Sequence, residues 1–199
     1  MMMKKRLFLA LSLSLGLLLS ACEPAAPAFK GIDLTGADYA RGFNLKDVNG
    51  RGRTLDEFKG KVVVVFFGYT QCPDVCPTTM AELAQVKKSL GADGDKVQGI
   101  FITIDPERDT PDLLKAYLAS FDSSFVALRG SDDETRMVAK EFKAFYAKVP
   151  GKEAGSYSMD HTAASYIFDP QGRIRLYEQF GKTGPQALAD DIKALLAGR

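Results

Sequence analysis

The stretch "KVVVVFFGYTQCPDVCPTTMAEL", Lys61 to Leu83, constrains this chain more than any other. From Lys61 to Phe67 it is a continuous β-branched and aromatic run, which leaves no polar face for water. It reads as a strand buried on both sides. Cys72 and Cys76 follow, four residues apart and each followed by proline. From Thr78 to Leu90 the apolar residues Met80, Leu83, Val86 and Leu90 recur at helical spacing. Pro77 biases Cys76 away from helical backbone and suits the first position of a helix. The sequence therefore places Cys76 at the N-cap of a helix beginning near Thr78, where the helix dipole favours a thiolate. Cys72 sits one loop turn earlier, and three intervening residues let the two sulfurs converge.

The rest of the chain fits around this unit as one domain over residues 37–199. A β-hairpin opens it, Phe43–Leu45 and Arg53–Leu55, with Asn49-Gly50 as the turn signal. A second buried strand spans Val97–Ile104, a helix Asp112–Phe121, and a short strand Phe125–Leu128. A further helix spans Ser131–Phe145, capped by Ser131 or Asp132. Strands Thr162–Phe168 and Arg173–Tyr177 flank the turn "DPQG", and a helix from Pro185 to Leu196 closes the chain. This order predicts an α/β fold, a mixed central sheet with helices on both faces. A cysteine pair between the first core strand and its helix makes the pattern thioredoxin-like.

The start of the chain has a different character. Lys4, Lys5 and Arg6 precede an apolar run, Leu7–Leu19, and then "LSAC". A positive end, a short apolar core and small residues describe an export signal over residues 1–21. A membrane span needs about 20 apolar residues, more than this run offers. "LSAC" resembles a bacterial lipobox, with Cys22 as the lipidated residue. Residues 22–36, rich in Ala, Pro and Gly, read as the lipidated N-terminus and a flexible tether. The domain is then expected outside the cytoplasm, on the periplasmic side, lipid-anchored to a bacterial membrane. With Cys22 used by the anchor, Cys72 and Cys76 remain as a pair in an oxidising compartment. The full chain has a net charge of +1, and loss of three basic residues with the signal leaves about −2. Nothing in that balance favours nucleic acid as a partner.

The cysteine loop by itself allows three chemistries: a disulfide staple, a redox dithiol, or a soft bidentate chelate of the kind that selects Cu(I), zinc or iron–sulfur clusters. A staple closing so short a loop contributes only about 2 kcal/mol. A peroxidatic Pro-x-x-x-Thr/Ser-x-x-Cys motif is absent, since Tyr69 and Pro73, or Val65 and Tyr69, occupy its positions. The one histidine, His161, precedes the strand expected beside the first core strand, so its loop should face the cysteines. Asp74, inside the loop, and Asp160, beside His161, are candidates to orient a ligand or to dock a basic partner, and Asp105, at the end of the second buried strand next to the site, is either a turn or cap residue or a further support for the ligands.

Three ordered segments, "FFGYTQCPDVCPTTMAEL", "IFITIDPERDTP" and "DHTAASYIFDPQGR", together with the F-x-L-x-D-x-x-G opening from Phe43 to Gly50, resemble the signatures of the Sco/SenC family. The resemblance runs from about Gly36 to the C-terminus. It implies a thioredoxin-like fold in which Cys72, Cys76 and His161 bind one copper per chain, as Cu(I) or Cu(II). It also implies a membrane-tethered copper chaperone that assists assembly of the dinuclear copper centre of cytochrome c oxidase. The implied partners are the copper-bearing oxidase subunit and, upstream, another periplasmic copper chaperone or a thioredoxin-like reductase. The alternative is a thiol–disulfide oxidoreductase that keeps extracytoplasmic cysteines reduced. Against a plain oxidoreductase stand the longer cysteine spacing and the absence of proline from "MDHT".

Overall fold

A computed structural model describes residues 29–179 and 181–199 of the protein. The expected export signal, residues 1–21, and Cys22 lie outside the described residues. In chain order the strands are Ile32–Asp33 (β1), Asn44–Asp47 (β2), Gly52–Thr54 (β3) and Val62–Gly68 (β4). The helix Val75–Ser89 (α1), strand Val97–Thr103 (β5), helix Pro111–Ala119 (α2), strand Val126–Arg129 (β6) and helix Asp132–Glu141 (α3) follow. Strands Tyr146–Pro150 (β7), Tyr157–His161 (β8), Ser165–Phe168 (β9) and Ile174–Glu178 (β10) lead to helix Pro185–Leu196 (α4). Among the described residues no helix is long and apolar enough to cross a membrane.

The main sheet runs β1-β10-β9-β4-β5-β6-β2-β3. Its centre, β4-β5-β6, is parallel, and β9 lies antiparallel to β4 on the other side. Every residue of β4 and β5 is buried, as two covered faces require. Alternation along β4 separates those faces. Phe66 looks to one side, with its ring 6.2 Å from Phe101, which meets Tyr117 of α2 at 5.5 Å. Helix α1 lies on this side, with α4 packed against it. Phe67 looks to the other side, where it meets Phe142, just beyond α3, and Tyr166 of β9 edge-on. The mixed α/β architecture with helices on both faces is the one the sequence predicted.

Three expectations are corrected. The helix predicted over Ser131–Phe145 stops at Glu141, although Ser131 caps it through Glu134 as expected. Lys143 turns into the left-handed region, φ 52°, and the Lys143 and Ala144 amides donate back to Lys140 and Ala139. That is a Schellman stop built without its usual glycine. The chain released by this stop forms an unpredicted antiparallel hairpin, β7-β8, as a separate two-stranded sheet. Finally, residues 29–36, read as part of the tether, are docked. Ile32 and Asp33 pair with β10, and the Lys30 and Gly31 amides donate to the carboxylate of Asp191.

Candidate metal centre

The C-terminal end of β4 delivers the chain to the cysteine loop. Gly68, its last residue, has no room for a side chain, because a Cβ there would lie 2.9 Å from Cys76 Sγ and from the rings of Phe66 and Phe101. The helix expected near Thr78 begins three residues earlier, at Val75, with Asp74 at the N-cap. Cys76 is therefore the second residue of α1 and not its cap. Pro77 is tolerated inside the first turn because the amide it lacks would have had no intrahelical partner. The Cys76 amide, another of those orphans, donates to Cys72 Sγ at 3.4 Å. Cys72 thus does the capping expected of Cys76.

His161 arrives from the opposite side as the last residue of β8. Its Nδ1 lies 3.1 Å from the Thr162 carbonyl oxygen, which only accepts, so Nδ1 carries the hydrogen. Nε2 is left facing Cys76 Sγ at 3.4 Å. The rings of Phe66 and Tyr69 stand edge-on to the imidazole at 5.9 and 6.0 Å. Cys72 Sγ, Cys76 Sγ and a His161 ring nitrogen all lie within 4.8 Å of one another. Both cysteines are free thiols here, so two soft sulfurs and one imidazole nitrogen converge on one point. That donor set suits copper or zinc.

The two thiols are unequal. Cys72 is pulled down to about 4, first by the hydrogen bond from Cys76 and further by local backbone amides, against the cost of burial. Cys76 is pushed up, first by that same bond with Cys72 and then by burial. Cys72 carries the thiolate and Cys76 the proton. Cys72 is 8 % exposed and Cys76 0 %, so the charged sulfur is the one nearer solvent. It opens onto a surface cleft of about 350 Å³ whose lining includes Asp74, Met159, Asp160 and His161.

The candidate acids occupy different places. Asp74 caps α1 by position only, without a side-chain capping bond, and lines the cleft. Asp160 also lines the cleft and is exposed on β8. Asp105, 2 % exposed, touches neither sulfur nor imidazole. It binds the Arg108 Nε at 2.5 Å and accepts the Tyr157 hydroxyl at 2.9 Å. Sequence reasoning singled out neither Arg108, Tyr157 nor Asp109. Asp109, fully buried, accepts the Thr70 amide, the Thr70 hydroxyl and the Thr103 hydroxyl, and burial pushes its carboxyl up. It pins the start of the cysteine loop to the end of β5. The available signal was the density of charge in "DPERDTP" directly after a buried strand.

Comparison with known proteins gives a consistent picture. The SCO1/SenC family model matches residues 33–197. An "SCO2-like protein" of Rickettsia felis is 35% identical over 196 residues, covering 94% of this chain and 95% of the relative. The structure of Bradyrhizobium japonicum ScoI with copper bound is 44% identical, with a TM-score of 0.69 over 76% of this chain and 96% of that one. BsSco, described as carrying a disulfide switch and as a member of the Sco family of cytochrome c oxidase assembly proteins, is 25% identical. Its TM-score is 0.61, covering 81% of this chain and 95% of BsSco.

Proposed function

The chain belongs to the SCO1/SenC family, and from that premise we propose that it is a copper metallochaperone for cytochrome c oxidase. It takes one copper ion as cargo between Cys72, Cys76 and His161 and serves the dinuclear copper centre of the oxidase's copper-bearing subunit. The observation that carries this reading is the convergence of two sulfurs and one imidazole nitrogen within 4.8 Å. The copper in ScoI, 44% identical, supports it. Thiolates suit Cu(I) and the imidazole lets the same site hold Cu(II). Three donors from one chain leave a position for a partner's ligand, and the cleft beside Cys72 gives that ligand a route of approach. Holding the ion requires the proton to leave Cys76, so affinity falls with pH.

The same reading includes an export signal over residues 1–21 and lipidation at Cys22, which tether the domain on the periplasmic face of a bacterial membrane. The support is the sequence of the segment itself, "LSAC" after a short apolar run. Anaerobic copper titration of the reduced protein tests the centre, with sulfur-to-Cu(II) charge-transfer absorption as readout. His161→Ala should bind more weakly and with a shifted band. Unchanged affinity and spectrum would falsify the three-donor site.

A second reading, a thiol–disulfide reductase acting on oxidase cysteines, is favoured by the inequality of the two thiols. A low-lying Cys72 near solvent beside a protonated, buried Cys76 is the arrangement of an attacking and a resolving cysteine. The disulfide switch described for BsSco agrees with it. Copper-free protein that reduces a disulfide peptide bearing an oxidase-type cysteine pair, with His161→Ala equally active, would favour this second role.

A further inference from the structure

The hairpin that carries His161 is structurally the least supported part of the site. Among the described residues β7 and β8 pair only with each other, and an isolated two-stranded hairpin is marginal in water. Its root is tied where Phe145 and Thr162 exchange hydrogen bonds. Those bonds close the hairpin on itself at the His161 end of β8 and do not tie it to the cysteine loop. The other end, Tyr157, lies four residues away, roughly 13 Å along the strand.

Arg108 holds that other end. Its Nη1 donates to the Tyr157 carbonyl oxygen at 2.9 Å, and its guanidinium lies 3.5 Å from the centroid of the Tyr157 ring. The same Nη1 donates to Gln71 Oε1 at 3.1 Å, and Gln71 is the residue before Cys72. Its Nε is fixed by Asp105, which also accepts the Tyr157 hydroxyl. One mostly buried guanidinium thus touches the segment leading into the first sulfur donor and the strand that ends in the imidazole donor. Its side chain is 18% exposed, and Nη2 is buried without a partner among the described residues.

We propose that Arg108 is a positioning residue: it clamps β8 against the cysteine loop and sets the distance from His161 to the two sulfurs before any metal arrives. This rests on the three-donor reading above. A planar fork that bonds in two directions and stacks on a ring cannot be replaced by an ammonium. Without the clamp, the hairpin samples positions in which His161 is out of reach. Affinity for a three-donor ion then falls with the fraction of competent molecules. A reagent that needs only the two sulfurs is unaffected.

The test uses the reduced full chain and four proteins: wild type, Arg108→Ala, Arg108→Lys and His161→Ala. Two probes are titrated, Cu(II) and phenylarsine oxide, which bridges two thiols without an imidazole. Amide exchange of residues 146–161 is followed in the metal-free state. Arg108→Ala should weaken Cu(II) binding at least fivefold, shift the charge-transfer band and speed hairpin exchange, with phenylarsine oxide affinity within twofold of wild type. Arg108→Lys should behave like Arg108→Ala, and it replaces it if the alanine variant does not fold. A Cu(II) loss below fivefold overturns the proposal. So does an equal loss with phenylarsine oxide, which would place the role of Arg108 in the cysteine loop alone. If His161→Ala itself leaves Cu(II) binding unchanged, the three-donor reading fails. The exchange rate of the hairpin then still decides whether Arg108 holds it, and unchanged exchange overturns the clamp.

Discussion

Cys76 Sγ and His161 Nε2 stand 3.4 Å apart across 85 residues of sequence. The imidazole is already in place against the buried sulfur, while Cys72, the more exposed partner, faces the cleft. The position of the buried sulfur is set by packing, so the geometry of the centre depends on what Cys76 packs against.

That dependence makes Gly68 a sensitive position. Any Cβ there meets Cys76 Sγ and two aromatic rings at 2.9 Å, all of them in the close-packed core. Gly68→Ala should cost about 1–3 kcal/mol as an overpacked core substitution, read by urea unfolding. It should also weaken copper binding by displacing Cys76. Wild-type stability and affinity in the variant would show that the loop absorbs a methyl group freely.

The unequal thiols give a pH signature. The thiolate is the reactive form, and Cys72 titrates near 4 instead of its ordinary 9.0. Alkylation of Cys72 in the metal-free protein should stay near its plateau down to about pH 5 and fall with a midpoint near 4, while Cys76 stays unmodified at neutral pH. Peptide mapping after timed iodoacetamide treatment reads both. The depressed value also stabilises the fold. That contribution is complete above the unfolded value of 9.0, shrinks as pH falls, and is lost below about 4. Cys72→Ser should remove this slope from the pH dependence of unfolding. A Cys72 midpoint near 9 would contradict the assignment of the thiolate.

Asp109 accepts three hydrogen bonds in a site without solvent. Asp109→Ala strands the Thr70 amide and the Thr103 hydroxyl, at about 1–3 kcal/mol for each buried unpaired group. Because burial raises its folded value above 3.8, the favourable contribution of this carboxyl is fully present below that value and is lost as pH rises through the raised one. The stability gap between wild type and Asp109→Asn should therefore narrow from pH 4 towards neutrality. Denaturant unfolding at several pH values checks the sign, and a widening gap would contradict it.

At the opposite edge, Asp191 accepts the Lys30 and Gly31 amides at 3.0 and 2.9 Å and is 4% exposed. Hydrogen bonds to a charged group are worth about 1.5–3 kcal/mol. In Asp191→Ala, residues 29–34 should come off the sheet edge and become sensitive to protease, with the cysteine centre unaffected. Intact protection of that segment would show that pairing of β1 with β10 suffices.

Much of this protein was legible in its sequence because the relevant signals are local. The run Val62–Phe67 could only be a doubly covered strand, Asn49-Gly50 turns where it should, and "DPQG" closes as expected around Asp169. The inventory of soft donors, two cysteines and a single histidine, was likewise fixed before any coordinates. Local signals failed where contacts that leave no pattern in the sequence won. Pro77 pointed to a cap at Cys76, but a hydrogen bond to Cys72 Sγ let the helix begin earlier. Lys143 stops α3 without the glycine that would have marked it. β7 and β8 alternate weakly, and they pair with each other across the loop between Pro150 and Tyr157. The clamp at Arg108 and the buried carboxyl of Asp109 were hidden because the partners they reach across the fold, Gln71 and Tyr157 for Arg108 and Thr70 for Asp109, lie 37–49 and 39 residues away. Sequence decided which donors exist and which core strands and helices form. Only the tertiary structure, through strand pairing and a guanidinium shared by two segments, decided that the donors meet.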